Sequence, residues 1–174
     1  STGDQHADIA ADLPAYDWVG VAGRPGSGEH NPIGAAACFE VNDSGTEWLS
    51  ETPSVPGSVG WDAAYARAMT RATLTDGDGR ELTVFNTHFD HRGPEARAES
   101  ARLLRRRVDA LPADRPAVVL GDLNCTPGST PYAVLTGNGF DRPLRDARAT
   151  AGDVSGPETT VTTFTSLDPG RRLD

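Results

Sequence analysis

The chain has 174 residues, is 37% hydrophobic and carries a net charge of −9, and all 16 of its basic residues are arginine. That length suits one domain, here residues 1–174, with a sizeable core, and no apolar run approaches a membrane span. The acidic balance argues against gripping polyanions by bulk attraction, but salt screens repulsion beyond ~10 Å, so a nucleic-acid substrate is disfavoured rather than excluded.

The start, "STGDQHADIAADLP", has neither a basic n-region nor an apolar h-region, so no signal peptide is visible. It also lacks an initiator Met, the pattern of an internal or processed segment. That start says little about compartment, and a cytoplasmic location is favoured. "YDWVGVAG" (16–23) reads as a short strand ending in glycine, and "RPGSGEHNPI" (24–33) as loop. "AAACFEV" (35–41) reads as one strand. "WLSETPSVPGSVGWDAA" (48–64) is rich in turn formers and predicts an ordered surface loop, of a length that usually serves function.

"RAMTRATLT" (67–75), "DGDG" (76–79) and "RELTVFNTH" (80–88) predict a β-hairpin whose turn residues supply positive φ cheaply. "GPEARAESARLLRRRVDAL" (93–111) predicts a helix with Pro94 in its first turn. Its residues Ala101, Leu104, Val108 and Leu111 recur at helical spacing and form one buried stripe. The arginines at 102–107 read as a solvated helix face rather than a nucleic-acid patch. "RPAVVLGDL" (115–123) predicts an apolar strand covered on both faces, and "STPYAVLTGNG" (129–139) a short helix with a glycine stop. Residues 160–165 are a further strand candidate. Strand, helix, strand in that order indicates an α/β unit. Cys38 and Cys125 are far apart in sequence, fit no zinc spacing, and read as incidental.

Three predicted strands end in polar groups. One ends in Asn86, Thr87 and His88, with Asp90 and His91 just beyond; another in Asp122 and Asn124; the last segment in Asp174. In layered α/β proteins, sites gather where strand ends meet loops. Oxygen ligands without thiolates suit a hard cation such as Mg²⁺, and histidine suits proton transfer. Phosphate-ester hydrolysis needs these parts: a cation against the phosphoryl oxygens and a carboxylate to aim a water. Each residue also has a plainer reading. Asp122 and Asn124 could form an Asx turn, His88 could be a hydrogen-bonded strand-edge histidine, and Glu29 could be a solvated loop acid. Asp174 could simply pair with Arg171 or Arg172. Histidine and aspartate alternate in "THFDH" (87–91), but that spacing alone is weak grounds for a metal site.

Together the ordered pieces "GEHNPI", "WLSETP", "GWDAAYAR", "NTHFDHRGPEARAESA", "GDLNCTP" and "RRLD" resemble the endonuclease/exonuclease/phosphatase superfamily, over about Tyr16 to Asp174. The resemblance implies an α/β (α+β) fold: a four-layered β-sandwich of two facing mixed sheets flanked by helices. It implies a phosphoric ester hydrolase that uses Mg²⁺ or Mn²⁺. His88 would stabilise the scissile phosphate or protonate the leaving group, and Glu29 would orient that histidine. Asp122 would orient or activate the attacking water and help hold the metal. Asn124 would contact a phosphoryl oxygen or the metal, and Asp174 would orient a second histidine. Trp48, Glu51, Trp61, Asp62 and Arg67 would line the substrate side; Asp90 and His91 take no catalytic role from the family pattern but could shape the rim.

Two elements of that family's pattern have no counterpart here: an early "Q-E" glutamate and a closing "S-D-H". The expectation is therefore a domain incomplete at both ends, lacking terminal strands, inactive or nearly so as given. Gly34 and three alanines also replace the larger residues usual after "PI". A phosphorylated small molecule or lipid headgroup is favoured over nucleic acid as substrate, and a monomer is expected. The alternative is a non-catalytic binding module that keeps the fold.

Overall fold

The computed structural model describes residues 5–23, 30–137, 139–163, 165–167 and 172–173. In chain order they form α1 (Gln5–Asp12), β1 (Tyr16–Val19), β2 (Ile33–Ala36), β3 (Phe39–Trp48), β4 (Ala68–Asp76) and β5 (Glu81–Thr87). α2 (Pro94–Asp109), β6 (Ala117–Leu120), α3 (Thr130–Thr136) and α4 (Ala147–Thr150) follow. The strands make two sheets, β1–β2 and β3–β4–β5–β6. The smaller is antiparallel; the larger is mixed, because β5 and β6 run parallel across the α2 crossover.

Alternation along the strands sorts side chains into layers. On one face of the large sheet, Met69 and Phe85 pack with Ala101, Leu104 and Val108 of α2, all nearly fully buried. On the other face, Ala72, Leu74 and Val84 meet Ile33 and Ala35 of the small sheet. Trp18 lies beyond, over Gly34, where a Cβ would stand 2.9 Å from its ring. His6 of α1 packs edge-on against that tryptophan, with ring centroids 5.7 Å apart. Helix, sheet, sheet, helix is the expected four-layer order. Truncating Leu104 to alanine, at the centre of this packing, costs about 2–5 kcal/mol.

The expected hairpin and helix are present. Several other expectations are corrected. Residues 35–41 are not one strand: a turn at Ala37–Cys38 separates β2 from β3, which join different sheets. No glycine or proline marks that turn. β3 then continues through the polar run 42–47, held by pairing with β4 rather than by burial. β6 is an edge strand with an alternating burial pattern, and Val118 and Leu120 are exposed. They share the face of Val84 and Asn86 but lie outside the cluster that Val84 makes with the small sheet. Residues 160–165 supply only an isolated bridge, Thr162 to Leu167, among the described residues. Leu111 is half-buried. Arg105 departs from the solvated face: it is 0% exposed, stacks on Phe140 and reaches the Leu135 carbonyl. No described helix is long and apolar enough to cross a membrane.

Candidate active site

The start of β4 and the ends of β3, β5 and β6 lie at one end of the large sheet. Two turns leave that end side by side. Gly121 makes the approach possible. Its φ is +122°, and a Cβ there would stand 1.9 Å from the Thr87 carbonyl oxygen, so only glycine fits. Past it, the Phe89 amide donates to the Asp122 carbonyl at 2.9 Å, and the Asn124 side-chain amide donates to the Phe89 carbonyl at 2.9 Å. These bonds zip residues 87–89 to 121–124. Asn124 itself takes a φ of 47°, which asparagine tolerates better than most residues.

Asp122 divides its carboxylate between two tasks. Oδ1 accepts from the Asn124 amide at 2.9 Å, so the Asx turn is real. Oδ2 lies 3.6 Å from Nε2 of His88. The plainer reading and the chemical one hold together: the turn aims the carboxylate at the histidine. Both side chains are partly open to solvent, at 30% for His88 and 40% for Asp122.

Behind His88 lies a second layer built on Arg67, which was expected on the substrate side. Arg67, 5% exposed, directs one terminal nitrogen at Nδ1 of His88 (3.0 Å) and the other at Nδ1 of His91 (3.1 Å). Its Nε lies 3.7 Å from Oδ2 of Asp90, which is 1% exposed. The Asp90 carboxylate accepts four backbone amides, from Ala64 and Tyr65 on Oδ2 and from Arg92 and Gly93 on Oδ1. Burial pushes its carboxyl pKa up, but the amides of Gly93, Arg92 and Ala64 and the Arg67 charge outweigh this and hold it below its ordinary value. The "THFDH" spacing and the arginine that closes "GWDAAYAR" were the sequence signals for this layer. The spacing reflects two rings and a carboxylate arranged around one guanidinium rather than around a metal.

The other residues expected on the substrate side are tied to the framework. Trp48 is buried and its indole N–H donates to the Gly23 carbonyl. Glu51 accepts the Trp61 amide at 3.2 Å, and Trp61 takes a φ of 51°. Asp62 caps α2 from outside, accepting the Ala96 amide at 2.7 Å and the Glu95 amide at 3.3 Å. That bond explains how α2 begins at Gly93, a residue with no capping side chain. The contacts of Glu51, Trp61 and Asp62 thus run within this loop and to α2. The structure brings His88, Asp122, Asn124 and Arg67 together. Glu29 and Asp174 lie outside the described residues, although Leu173 accepts the Leu123 amide at 3.0 Å and so passes beside the Asp122 turn.

The comparisons with known proteins agree with this architecture. The model of the endonuclease/exonuclease/phosphatase family matches residues 11–174, and the chain belongs to that family. The structure of an endonuclease/exonuclease/phosphatase from Bacteroides vulgatus is 38% identical and superposes with a TM-score of 0.91, covering 98% of this chain and 67% of that one. A family protein from Bacteroides thetaiotaomicron is 36% identical (TM-score 0.68), covering 74% of this chain and 47% of its own. The mannosyl-6-phosphatase Bt3783 of the same organism is 35% identical (TM-score 0.68), covering 74% of this chain and 50% of its own. The chain therefore spans about two thirds of the first relative and about half of the other two. No curated protein matches the sequence.

Proposed function

We propose that this chain carries the centre of a divalent-cation-dependent phosphoric ester hydrolase, acting on phosphomono- or phosphodiesters by water attack at phosphorus. The observation that carries the reading is the approach of His88 Nε2 to Asp122 Oδ2, at 3.6 Å, where two strands end. A hydrogen-bond donor and a carboxylate so placed can address opposite requirements of one phosphate. His88 faces the phosphoryl or leaving oxygen; Asp122 orients the attacking water. Asn124 keeps its Nδ2 on the Phe89 carbonyl, which leaves its Oδ1 as an acceptor at the site without adding negative charge.

The cation was tested against the donors present. Asp122 Oδ2 and Asn124 Oδ1 are both oxygens, and oxygen sets suit Mg²⁺ or Mn²⁺. Among the described residues no group of three or more His, Cys, Asp or Glu gathers as a metal site. The donors fit a hard cation as part of a ligand set, with Asp122 and Asn124 holding it. The cation would neutralise phosphoryl charge. Likeness to a mannosyl-6-phosphatase supports a phosphorylated small molecule, with a sugar phosphate the first to try. The net charge of −9 supports that class, or a lipid headgroup, over nucleic acid. Trp48, Glu51, Trp61 and Asp62 build the rim around it, and the working unit is a monomer.

The test is hydrolysis of aryl phosphomono- and diesters by the full-length protein with Mg²⁺, alongside His88→Ala and Asp122→Asn. Each substitution is expected to lower kcat by roughly 10²–10⁴-fold, the range for removing a positioned proton-transfer or charge-stabilising group. Equal rates in all three proteins would refute the reading.

A further inference from the structure

The proposed function leaves open what recognises the part of the substrate beyond its phosphate. We infer that Tyr65 and Arg92 form that subsite, a ring to stack on and a fork of donors, and that its occupant is the sugar of a sugar phosphate. The inference rests on the sugar-phosphate reading and names the residues that select for it.

Tyr65 is an exposed aromatic residue that the fold nevertheless fixes. Its ring stacks on His91, with centroids 5.7 Å apart and planes 19° from parallel. Its amide donates to Oδ2 of Asp90 at 3.3 Å. The guanidinium carbon of Arg92 lies 5.9 Å from the ring centroid and that of Arg67 5.8 Å, both within cation–π range. With these neighbours the residue still keeps 44% of its surface open. Among the described residues its hydroxyl makes no hydrogen bond. Arg92 is held in the same way. Its amide donates to Oδ1 of Asp90 at 2.8 Å, which fixes the backbone and leaves the guanidinium outside. Arg71, Arg80 and Arg102 spend their charge on a carboxylate. The Arg92 guanidinium meets none among the described residues, in a chain whose 25 acidic residues outnumber its 16 basic ones.

The pair stands beside the phosphate centre. The Arg67 guanidinium lies 3.0 Å from Nδ1 of His88 on one side and 3.1 Å from Nδ1 of His91 on the other. Tyr65 stacks on His91, so the order outward from Asp122 is His88, Arg67, His91, Tyr65 and Arg92. The chemistry of the outer two selects among the groups a phosphate can carry. The faintly positive C–H edges of a sugar ring match the negative face of a tyrosine. The sugar's hydroxyl oxygens accept from a guanidinium, which has donors and no acceptor. A plain alkyl group uses the ring alone. A second phosphate uses the guanidinium alone, against the field of a chain at −9. A sugar makes both contacts and brings no further charge. Neither contact changes as the P–O bond breaks, so both act on KM rather than kcat.

The experiment is steady-state hydrolysis by the full-length protein with Mg²⁺ of glucose 6-phosphate, trehalose 6-phosphate, adenosine monophosphate and ethyl phosphate. It compares the parent with Tyr65→Ala, Arg92→Ala and Tyr65→Phe. The parent is expected to favour at least one sugar ester over ethyl phosphate by about tenfold or more in kcat/KM. Tyr65→Ala and Arg92→Ala should each raise KM for that ester by about 5–50-fold, with its kcat and both constants for ethyl phosphate within about threefold of the parent. Tyr65→Phe keeps the ring and should recover most of the sugar preference.

A merely structural role lowers the sugar and ethyl esters together, so equal losses on the two overturn the inference. An unchanged KM for the sugar ester in either alanine variant does the same. So does a parent that prefers adenosine monophosphate, or one with no preference for a sugar. In each of these cases hydrolysis continues and the hydrolase reading stands. A parent that hydrolyses none of the four esters removes the hydrolase reading and the inference with it. Should Tyr65→Ala fail to fold, Arg92→Ala, which keeps its backbone amide on Asp90, makes the same comparison.

Discussion

The two ends of the β4–β5 hairpin pose the same problem and solve it in opposite ways. At the turn, Asp76 accepts the amides of Asp78 and Arg80, each at 2.9 Å, and the Arg80 Nε at 2.8 Å. Every partner lies within four residues, in solvent. At the other end, Asp90 draws its amides from residues 64, 65, 92 and 93 and faces Arg67, with the carboxylate and the guanidinium both buried. Both carboxyls sit below their ordinary value. For Asp76 the leading cause is the Arg80 amide; for Asp90 burial opposes and the amides prevail. The glycines repeat the contrast. Gly79 (φ +80°) has nothing within 4 Å of a notional Cβ, whereas Gly121 (φ +122°) meets the Thr87 carbonyl at 1.9 Å. A local turn tolerates change. An end assembled from distant segments does not.

Substitutions can break that comparison, and the largest effect is expected at Asp90. Asp90→Ala leaves a buried guanidinium beside unpaired amides and should cost about 3–5 kcal/mol in denaturant unfolding. A cost below about 1 kcal/mol would mean that burial adds nothing to the network. Gly121→Ala comes next. Left-handed strain of about 1–2 kcal/mol adds to overpacking of about 1–3 kcal/mol, and the unfolding midpoint should fall accordingly. Gly79→Ala carries only the strain, about 1–2 kcal/mol. Thermal melts of the two alanine variants side by side give the difference that crowding makes. The smallest effect is expected at Asp76→Ala, an exposed turn in which water replaces the lost partners.

Acid titration sharpens the same contrast. Asp90 has a folded pKa depressed below the ordinary 3.8, so its stabilising contribution is complete above that value. It disappears as pH falls through the folded pKa. Unfolding free energy should therefore decline with acidification below about 3.8, and Asp90→Asn and Asp76→Asn should each flatten that decline. An unchanged acid limb in Asp90→Asn would contradict the depressed pKa.

The contrast also explains what could be read from the sequence. "DGDG" announces its turn because the determinants are consecutive, and the α2 stripe announces its helix because Ala101, Leu104 and Val108 repeat at one period. His88, Asp122 and Asn124 were legible as polar residues at strand ends. The Arg67 cluster was not, because its members sit at 67, 88, 90 and 91 and only pairing of β4 with β5 makes them neighbours. β3 was hidden by its polar stretch, and β6 looked interior because alternating exposure leaves no trace in an all-apolar run. Arg105 misled for a related reason: charge predicts solvent unless a helix packed opposite offers a carbonyl and the segment after it a ring.

The segment 49–66 carries one more consequence. Ser50 and Ser58 bond to each other at 2.6 Å, Glu51 holds Trp61, Asp62 holds α2, and Asp90 holds Ala64 and Tyr65. Long segments beside catalytic centres are often doors that swing shut on a substrate. This one is masonry, mortared at intervals along its length. Where the segment borders the substrate as proposed, the width of the entrance is settled before any molecule arrives. Broadening what the site accepts would mean trimming side chains from a standing wall, and loosening a hinge would achieve nothing.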